Sequence, residues 1–380
     1  MSYYILPKSN NNIVINPKST SHVPQPYISQ SLFTYYNECK NIINKLCTPD
    51  SEYNTFSEII KITNPHEYIF SKVPGSKFSV SKLKTKTNMY YDLLEMNATI
   101  NLFDNITNAV GSLTNQPIKL LHIGSNCDDS IRCISIMREP HTLDTNISFP
   151  EINNDLYKTI HESKFDFIFY EMDHNLFSNN KLYIVQLIKF IMLILKNQSS
   201  NGNCVIKINS SVYKPVVDAL YIFSSLFEKV YIIKPNTNNI MTFDKYIVCK
   251  GFITNDTRND FHKTNYFNMY SFLRHLKPEQ YISSIVNVDV VIPSYFVNKI
   301  DDANIIIGQQ QLEMFDQLIN ILNNKNKHDK IELMKKSNIQ KSVTWCEKYK
   351  IPYNKFSEKT NIFLPLEDKL DENVTSTSKI

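Results

Sequence analysis

From Ile118 onward, short apolar runs alternate with longer segments of helical periodicity, and this alternation restricts the chain more than any other feature. IKLLHIG (Ile118 to Gly124), RCISIM (Arg132 to Met137), FDFIFYE (Phe165 to Glu171), NCVIKI (Asn203 to Ile208), KVYIIK (Lys229 to Lys234) and KYIVCKGF (Lys245 to Phe252) each read as a strand. Helical segments near Glu151 to Ser163, Lys181 to Lys196 and Val212 to Phe227 separate most of them. Strand, helix and strand in succession build a mainly parallel sheet with both faces covered, because a parallel connection needs a crossover long enough to hold a helix. The expected fold class is therefore α/β and doubly wound, with ligands at the carboxyl ends of the strands. The last two strands, joined without a helix, are expected to form an antiparallel hairpin at the sheet edge.

The sheet segment, residues 117–254, is flanked by other material. Residues 1–30 are rich in Asn, Ser and Pro, lack periodicity and read as a flexible or draped arm. Residues 31–116 read as a helical extension with a basic loop. Leu32, Tyr35, Tyr36, Cys39, Ile42, Ile43 and Leu46 recur at helical spacing until Thr48-Pro49-Asp50 stops them, and a second helix runs from about Thr87 to Phe103. Between them SKVPGSKFSVSKLKTK carries Lys72, Lys77, Lys82, Lys84 and Lys86, either a solvated connector or a contact for RNA phosphates. Residues 255–364 read as a C-terminal helical appendage, whose surface could receive a protein partner, and 365–380 as a polar tail.

Composition excludes several classes. With 41 basic and 37 acidic residues the net charge of +4 is too small to point to a polyanion without local clustering. The seven cysteines form no CxxC pair, and no His stands at zinc-ligand spacing, so no metal site is expected and the thiols read as reduced. The longest apolar stretch, Ile184 to Leu195, is broken by Gln186 and Lys189, so no membrane span is expected and a cytoplasmic chain follows. Only six glycines are present, and no GxGxxG follows the first strand, which argues against a nicotinamide enzyme. The abundance of Asn, Lys, Ile and Tyr matches the drift of AT-rich genomes, including those of many large DNA viruses.

Gly202 and Lys207 in NGNCVIKI, Tyr231, Lys234 and Pro235 in YIIKP, then Tyr246 and Val248 in DKYIV occur in an order and spacing that resemble the final strands of FtsJ-like ribose 2′-O-methyltransferases, a family that includes the cap-modifying enzymes. TNMYYDLLEM (Thr87 to Met96), LLHIG with the Ser125 to Asp129 loop, and FDFIFYEMD extend the resemblance backward, and IQKSVTWCEKYKIP adds a weaker match near the C-terminus. The resemblance implies a Rossmann-like methyltransferase sheet, mainly parallel with an antiparallel edge strand, plus N- and C-terminal helical extensions. It also implies S-adenosylmethionine as methyl donor and RNA, at the mRNA 5′ end, as acceptor, in a cytoplasmic or virion setting.

Carried onto this sequence, the family's Lys-Asp-Lys-Glu tetrad implies Lys207 as the central lysine and Asp244 as the final acid. Asp173 stands as the first choice for the catalytic aspartate, with Glu171 second. Asp92 falls where the first lysine belongs, and Lys84 or Lys86 is the expected replacement. Gly124, Ser125 and Asn126 fall on the cofactor loop, where Asp128 and Asp129 replace glycines and would set two carboxylates beside the cofactor's own. The helix after the first strand reads as missing or reduced. These departures share the cofactor half of the sheet. Two expectations follow: an RNA 2′-O-methyltransferase, or a catalytically inactive RNA-binding or scaffold subunit of the same fold.

Overall fold

The computed structural model describes residues 2–9, 12–46, 61–108, 117–139, 143–173, 175–176, 179–254, 256–324 and 327–354. The stop at Thr48 to Asp50 and the tail 365–380 lie outside them. Strands β1 (Ser2–Leu6), β3 (Lys119–Ile123), β4 (Thr145–Phe149), β5 (Phe165–Glu171), β6 (Gln198–Ile208), β7 (Phe227–Lys234) and β8 (Lys245–Phe252) form a seven-stranded sheet in the order β1-β7-β8-β6-β5-β3-β4. β4, β3, β5 and β6 pair in parallel, β8 runs antiparallel between β6 and β7, and β1 is antiparallel to β7. The expected α/β sheet with a parallel core is what the chain forms.

The central strands are apolar on both faces, as a parallel sheet under helices requires. On β5, Phe167 and Phe169 face one layer and Ile168 and Tyr170 the other, and β6 splits Val205 from Cys204 and Ile206 in the same way. The first layer holds α2 (Met89–Ile100), α4 (Cys127–Met137) and the end of α10 (Lys327–Lys348), which brings Trp345 and Cys346 inward. The second holds α6 (Asn180–Asn197), α7 (Lys214–Leu226) and the start of α9 (Ser294–Leu322). Each buried Phe, Leu or Ile side chain contributes about 1.5–3 kcal/mol relative to exposure.

Four sequence expectations are corrected. RCISIM is helical, within α4: Ser130, Cys133 and Ile134 are buried at helical spacing while Arg132 and Ser135 face water, so tertiary burial overrides the β-branched composition. The helix after the first strand is therefore present, and β4 supplies the strand beyond it. The arm 1–30 is not free. β1 pairs with β7 from Ser2↔Lys234 to Leu6↔Val230, β2 (Ile15–Thr20) pairs with β9 (Tyr281–Val286), and α1 (Gln30–Leu46) follows. Lastly, the β7–β8 hairpin is interior, with β8 inserted beside β6 and β1 forming the edge.

Gly202 owes its identity to packing. A Cβ there would lie 2.9 Å from the Asp166 carbonyl oxygen and 2.3 Å from Gln198 Nε2, a group that donates to the Phe165 carbonyl at 3.0 Å. Gly202→Ala is expected to destabilise the chain by about 1–3 kcal/mol through forced separation of β5 and β6. A urea unfolding midpoint equal to that of the parent would show that the two strands yield there without cost.

Candidate active site

The chain order reverses between β3 and β5, and the carboxyl ends of those strands open a crevice of the kind that receives ligands in doubly wound sheets. β5 ends at Glu171, β6 carries Lys207 in register with it, and Asp244 immediately precedes β8. Lys207 Nζ lies 3.4 Å from Glu171 Oε1 and 4.0 Å from Asp244 Oδ2, and its side chain is 13% exposed. Burial lowers the pKa of such an amine, but the charges of Asp244, Glu171 and Asp92 outweigh it, and Lys207 is held above the ordinary lysine value.

Asp92, on α2, is wholly buried. Its carboxylate accepts from the Tyr246 hydroxyl at 2.9 Å, Asn88 Nδ2 at 3.2 Å, Asn238 Nδ2 at 3.3 Å and the Thr237 hydroxyl. Desolvation raises its pKa, against those donors and the Lys207 charge. Glu171 is also raised, by burial first, with Lys207 opposing. Lys207 is thus ringed by acids, and the position implied for a first lysine holds another carboxylate.

Neither Lys84 nor Lys86 fills that role. Both are exposed: Lys86 Nζ pairs with Asp128 at 2.6 Å, and the Lys84 carbonyl accepts from Arg132. The second lysine of the site is Lys234, at the end of β7, whose ammonium donates to Asn238 Oδ1 at 2.6 Å, the Thr242 carbonyl at 2.9 Å and the Asp244 carbonyl. Burial lowers its pKa to about 7, against Asp244. With its donors engaged by the 238–244 loop, it anchors that loop rather than facing substrate. Lys245 is buried too, lowered to about 8 by desolvation, and its donation to Ser211 Oγ at 3.0 Å and Asn304 Oδ1 at 3.1 Å ties α9 to the sheet.

Of the residues implied by the sequence, the fold therefore brings together Lys207, Asp244 and Asp92. Asp173 is exposed, two residues beyond the strand, and accepts from the Asn175 amide at 2.8 Å, so Glu171 takes the place expected of it. Thr237, Asn238 and Tyr246 complete the surroundings of Asp92. Tyr246 was visible in the motif as a matching position and Asn238, with Asn239, as a departure from the family's loop Ser-Arg, whereas Thr237 carried no signal because its role depends on a loop folding back onto α2.

The cofactor loop is built differently from the resemblance. Gly124 adopts φ 151°, and a Cβ there would meet Glu171 Cβ at 3.1 Å and the Glu171 carbonyl at 3.2 Å, so this glycine serves a close strand contact. Its N–H donates to the Phe149 carbonyl at 2.9 Å, and its carbonyl accepts from the Cys127 thiol at 3.1 Å. Asp129 is turned away from the crevice and accepts from the Lys86 and Thr87 amides at 2.9 and 2.8 Å, joining α4 to the start of α2. The feared pair of carboxylates facing a ligand is thus absent at Asp129, and Asp128 is paired with Lys86. Even so, the Gly124 N–H and carbonyl are engaged within the fold and are not free to receive the carboxylate end of S-adenosylmethionine.

What opens beside Lys207 is a cleft of ≈ 760 Å³. Phe33, Tyr36 and Lys40 of α1, Tyr213, Phe243 and a series of amides including Asn64, Asn209 and Asn239 line it, and residues 124–126 do not. Phe33 stacks with Phe243 at 5.8 Å. Phe70 and Asn88 also line it, and the lysine loop 72–86 runs between those two residues.

No protein-family model matches the sequence, and no curated protein sequence matches it. Among solved structures, a protein described as a ribosomal RNA methyltransferase from Plasmodium falciparum overlaps 45% of this chain and 100% of its own length, at 12% identity and a TM-score of 0.33. Phosphoethanolamine N-methyltransferase 2 of Haemonchus contortus, bound to phosphomonomethylethanolamine and S-adenosylhomocysteine, overlaps 47% of this chain and 43% of its own, at 13% identity and a TM-score of 0.27. A fibrillarin pre-rRNA processing protein of Methanococcus jannaschii overlaps 37% and 69%, at 12% identity and a TM-score of 0.22. Matches at this identity and TM-score carry no argument about chemistry, which has to be read from the residues around Lys207.

Proposed function

We propose that this chain is an inactive relative of the RNA 2′-O-methyltransferases, one that binds RNA in the Lys207 cleft without transferring a methyl group. The observation that carries the reading is the buried carboxylate of Asp92 where the resemblance implies a lysine, held by Tyr246 and Thr237 beside a Lys207 already paired with Glu171 at 3.4 Å and Asp244 at 4.0 Å. A lysine that deprotonates a ribose hydroxyl must shed its own proton near neutral pH, and enzymes arrange this by burial and neighbouring cations. Here the neighbours are acids and the pKa moves the other way. Exchanging a lysine for Asp92 changes the local formal charge from +1 to −1, and each pK unit so gained leaves tenfold less free amine.

A Lys207 that holds its proton more tightly than an ordinary lysine remains useful for binding. It is a donor aimed into a cleft whose amides match base edges and whose rings offer stacking faces, the combination that single-stranded RNA uses. The mRNA 5′ end is the RNA that the family resemblance favours. The reading as an active methyltransferase draws on the order and spacing of Gly202, Lys207, Tyr231, Lys234 and Tyr246. It requires that Lys207 lose its proton and that a methyl donor be held beside β3. No helix among the described residues is long and apolar enough to cross a membrane.

Calorimetric titration with S-adenosylmethionine is expected to give no binding heat up to millimolar cofactor, while single-stranded RNA still binds. Micromolar cofactor affinity together with methyl transfer would overturn the proposal. In Asp92→Asn the Lys207 ammonium is expected to titrate at lower pH than in the parent, followed by NMR of labelled lysine side chains. An unchanged midpoint would show that Asp92 carries no charge near neutral pH, and the account of a ring of carboxylates would fall.

A further inference from the structure

The basic loop and the end of α10, more than 200 residues apart in sequence, are joined by backbone. Ser81 and Tyr353 form an antiparallel bridge, with the Lys82 amide donating to the Pro352 carbonyl at 2.8 Å and the Asn354 amide to the Val80 carbonyl at 2.8 Å. Lys350, in the left-handed conformation (φ 56°) just past α10, is thereby carried to the flank of Lys82. Arg132 of α4 reaches in from the other side, donating to the Lys84 carbonyl at 3.1 Å. Lys82, Lys84, Lys350 and Arg132 are all exposed, as is Phe78, whose ring is 65% exposed on the same loop. The acids in this region are engaged: Asp128 with Lys86, and Glu347 with the Tyr353 hydroxyl at 2.7 Å. The overall charge of +4 conceals this clustering.

A solvated connector would have no reason to be pinned at both ends and along its middle, or to hold a large aromatic side chain in water on the same loop as its lysines. Both ends of the loop also border the cleft, at Phe70 and Asn88. From this juxtaposition we infer that Lys82, Lys84, Arg132 and Lys350, with Phe78, form a second binding surface that takes the phosphates and one base of single-stranded RNA as the strand leaves the Lys207 cleft. The inference rests on the RNA-binding reading of the cleft and adds the course of the strand outside it. The choice of single-stranded over duplex RNA comes from Phe78, because a ring stacks an unpaired base and gives a duplex nothing comparable.

The test is fluorescence anisotropy of the full chain with mixed-sequence RNA of about 4 and about 16 nucleotides, across a range of salt. The variants are the double change Lys82→Gln, Lys350→Gln and the single change Phe78→Ala, all at exposed side chains whose removal leaves the backbone bridge in place. In the parent the longer RNA is expected to bind more tightly. The double variant should lower the slope of log affinity against log salt by about 1.4 for the longer RNA and leave the shorter unaffected, since single strands lose about 0.7 per phosphate contact. Phe78→Ala should weaken the longer RNA by about tenfold, and a 16-base-pair duplex much less. An unchanged slope and affinity in the double variant would overturn the inference while the cleft reading stands. Failure of the parent to bind either RNA would remove the reading of the cleft, and the inference with it.

Discussion

Placing the Lys207 ammonium at the carboxyl end of a central strand, with 13% of its side chain exposed, commits the surrounding structure. An isolated charge there would be costly, so β5 must end on an acid in register with it and the loop before β8 must bring up another. Both do so, through Glu171 and Asp244. Removing one partner of a buried pair costs about 3–5 kcal/mol, because the remaining charge is left without compensation. Lys234 then fixes the loop that carries Asp244, and Asp92 fixes the other side of that loop through Thr237 and Asn238. The crevice is thus a polar unit embedded between two apolar layers, with little freedom to change one member alone.

Such a unit can be kept for reasons other than catalysis. A sheet that has evolved to hold charged groups at one end cannot replace them singly with apolar residues without stranding their partners. The sequence motif through Lys207 and Tyr246 would then persist after the proton chemistry had gone, because Tyr246 also donates to Asp92 and Lys207 pairs across β5. Persistence of the motif and persistence of the activity are separate questions in this chain.

The central strands were legible because β5, β6 and β8 are apolar on both faces, although β6 begins at Gln198, directly after α6 and before the apolar run that reveals it. Lys207 and Asp244 were legible from spacing. Asp173 was preferred to Glu171 although the strand reads as ending on Glu171, because the register that sets Glu171 beside Lys207 of β6 has no local signature. RCISIM misled through its composition, although the burial of Ser130, Cys133 and Ile134 follows a helical period once α4 is in place. The strand character of β1 was diluted by the Asn, Ser and Pro around it, and its partner β7 lies far along the chain. Contacts made by folding back, such as Asp129 onto the start of α2, have no local signature.

The pairing of Ser2 with Lys234 gives the sheet an unusual chronology. β1 is made well before its neighbour β7, which follows 232 residues later, the difference between those paired positions. Closing a loop of that length is entropically costly and slow compared with local pairing. Until β7 is made, β1 therefore lacks its neighbour, and the nascent chain carries Tyr3 and Ile5, half exposed even when folded, on an unpaired segment. Anything attached to that terminus would travel with it to the rim of the sheet, next to the loop that Lys234 holds.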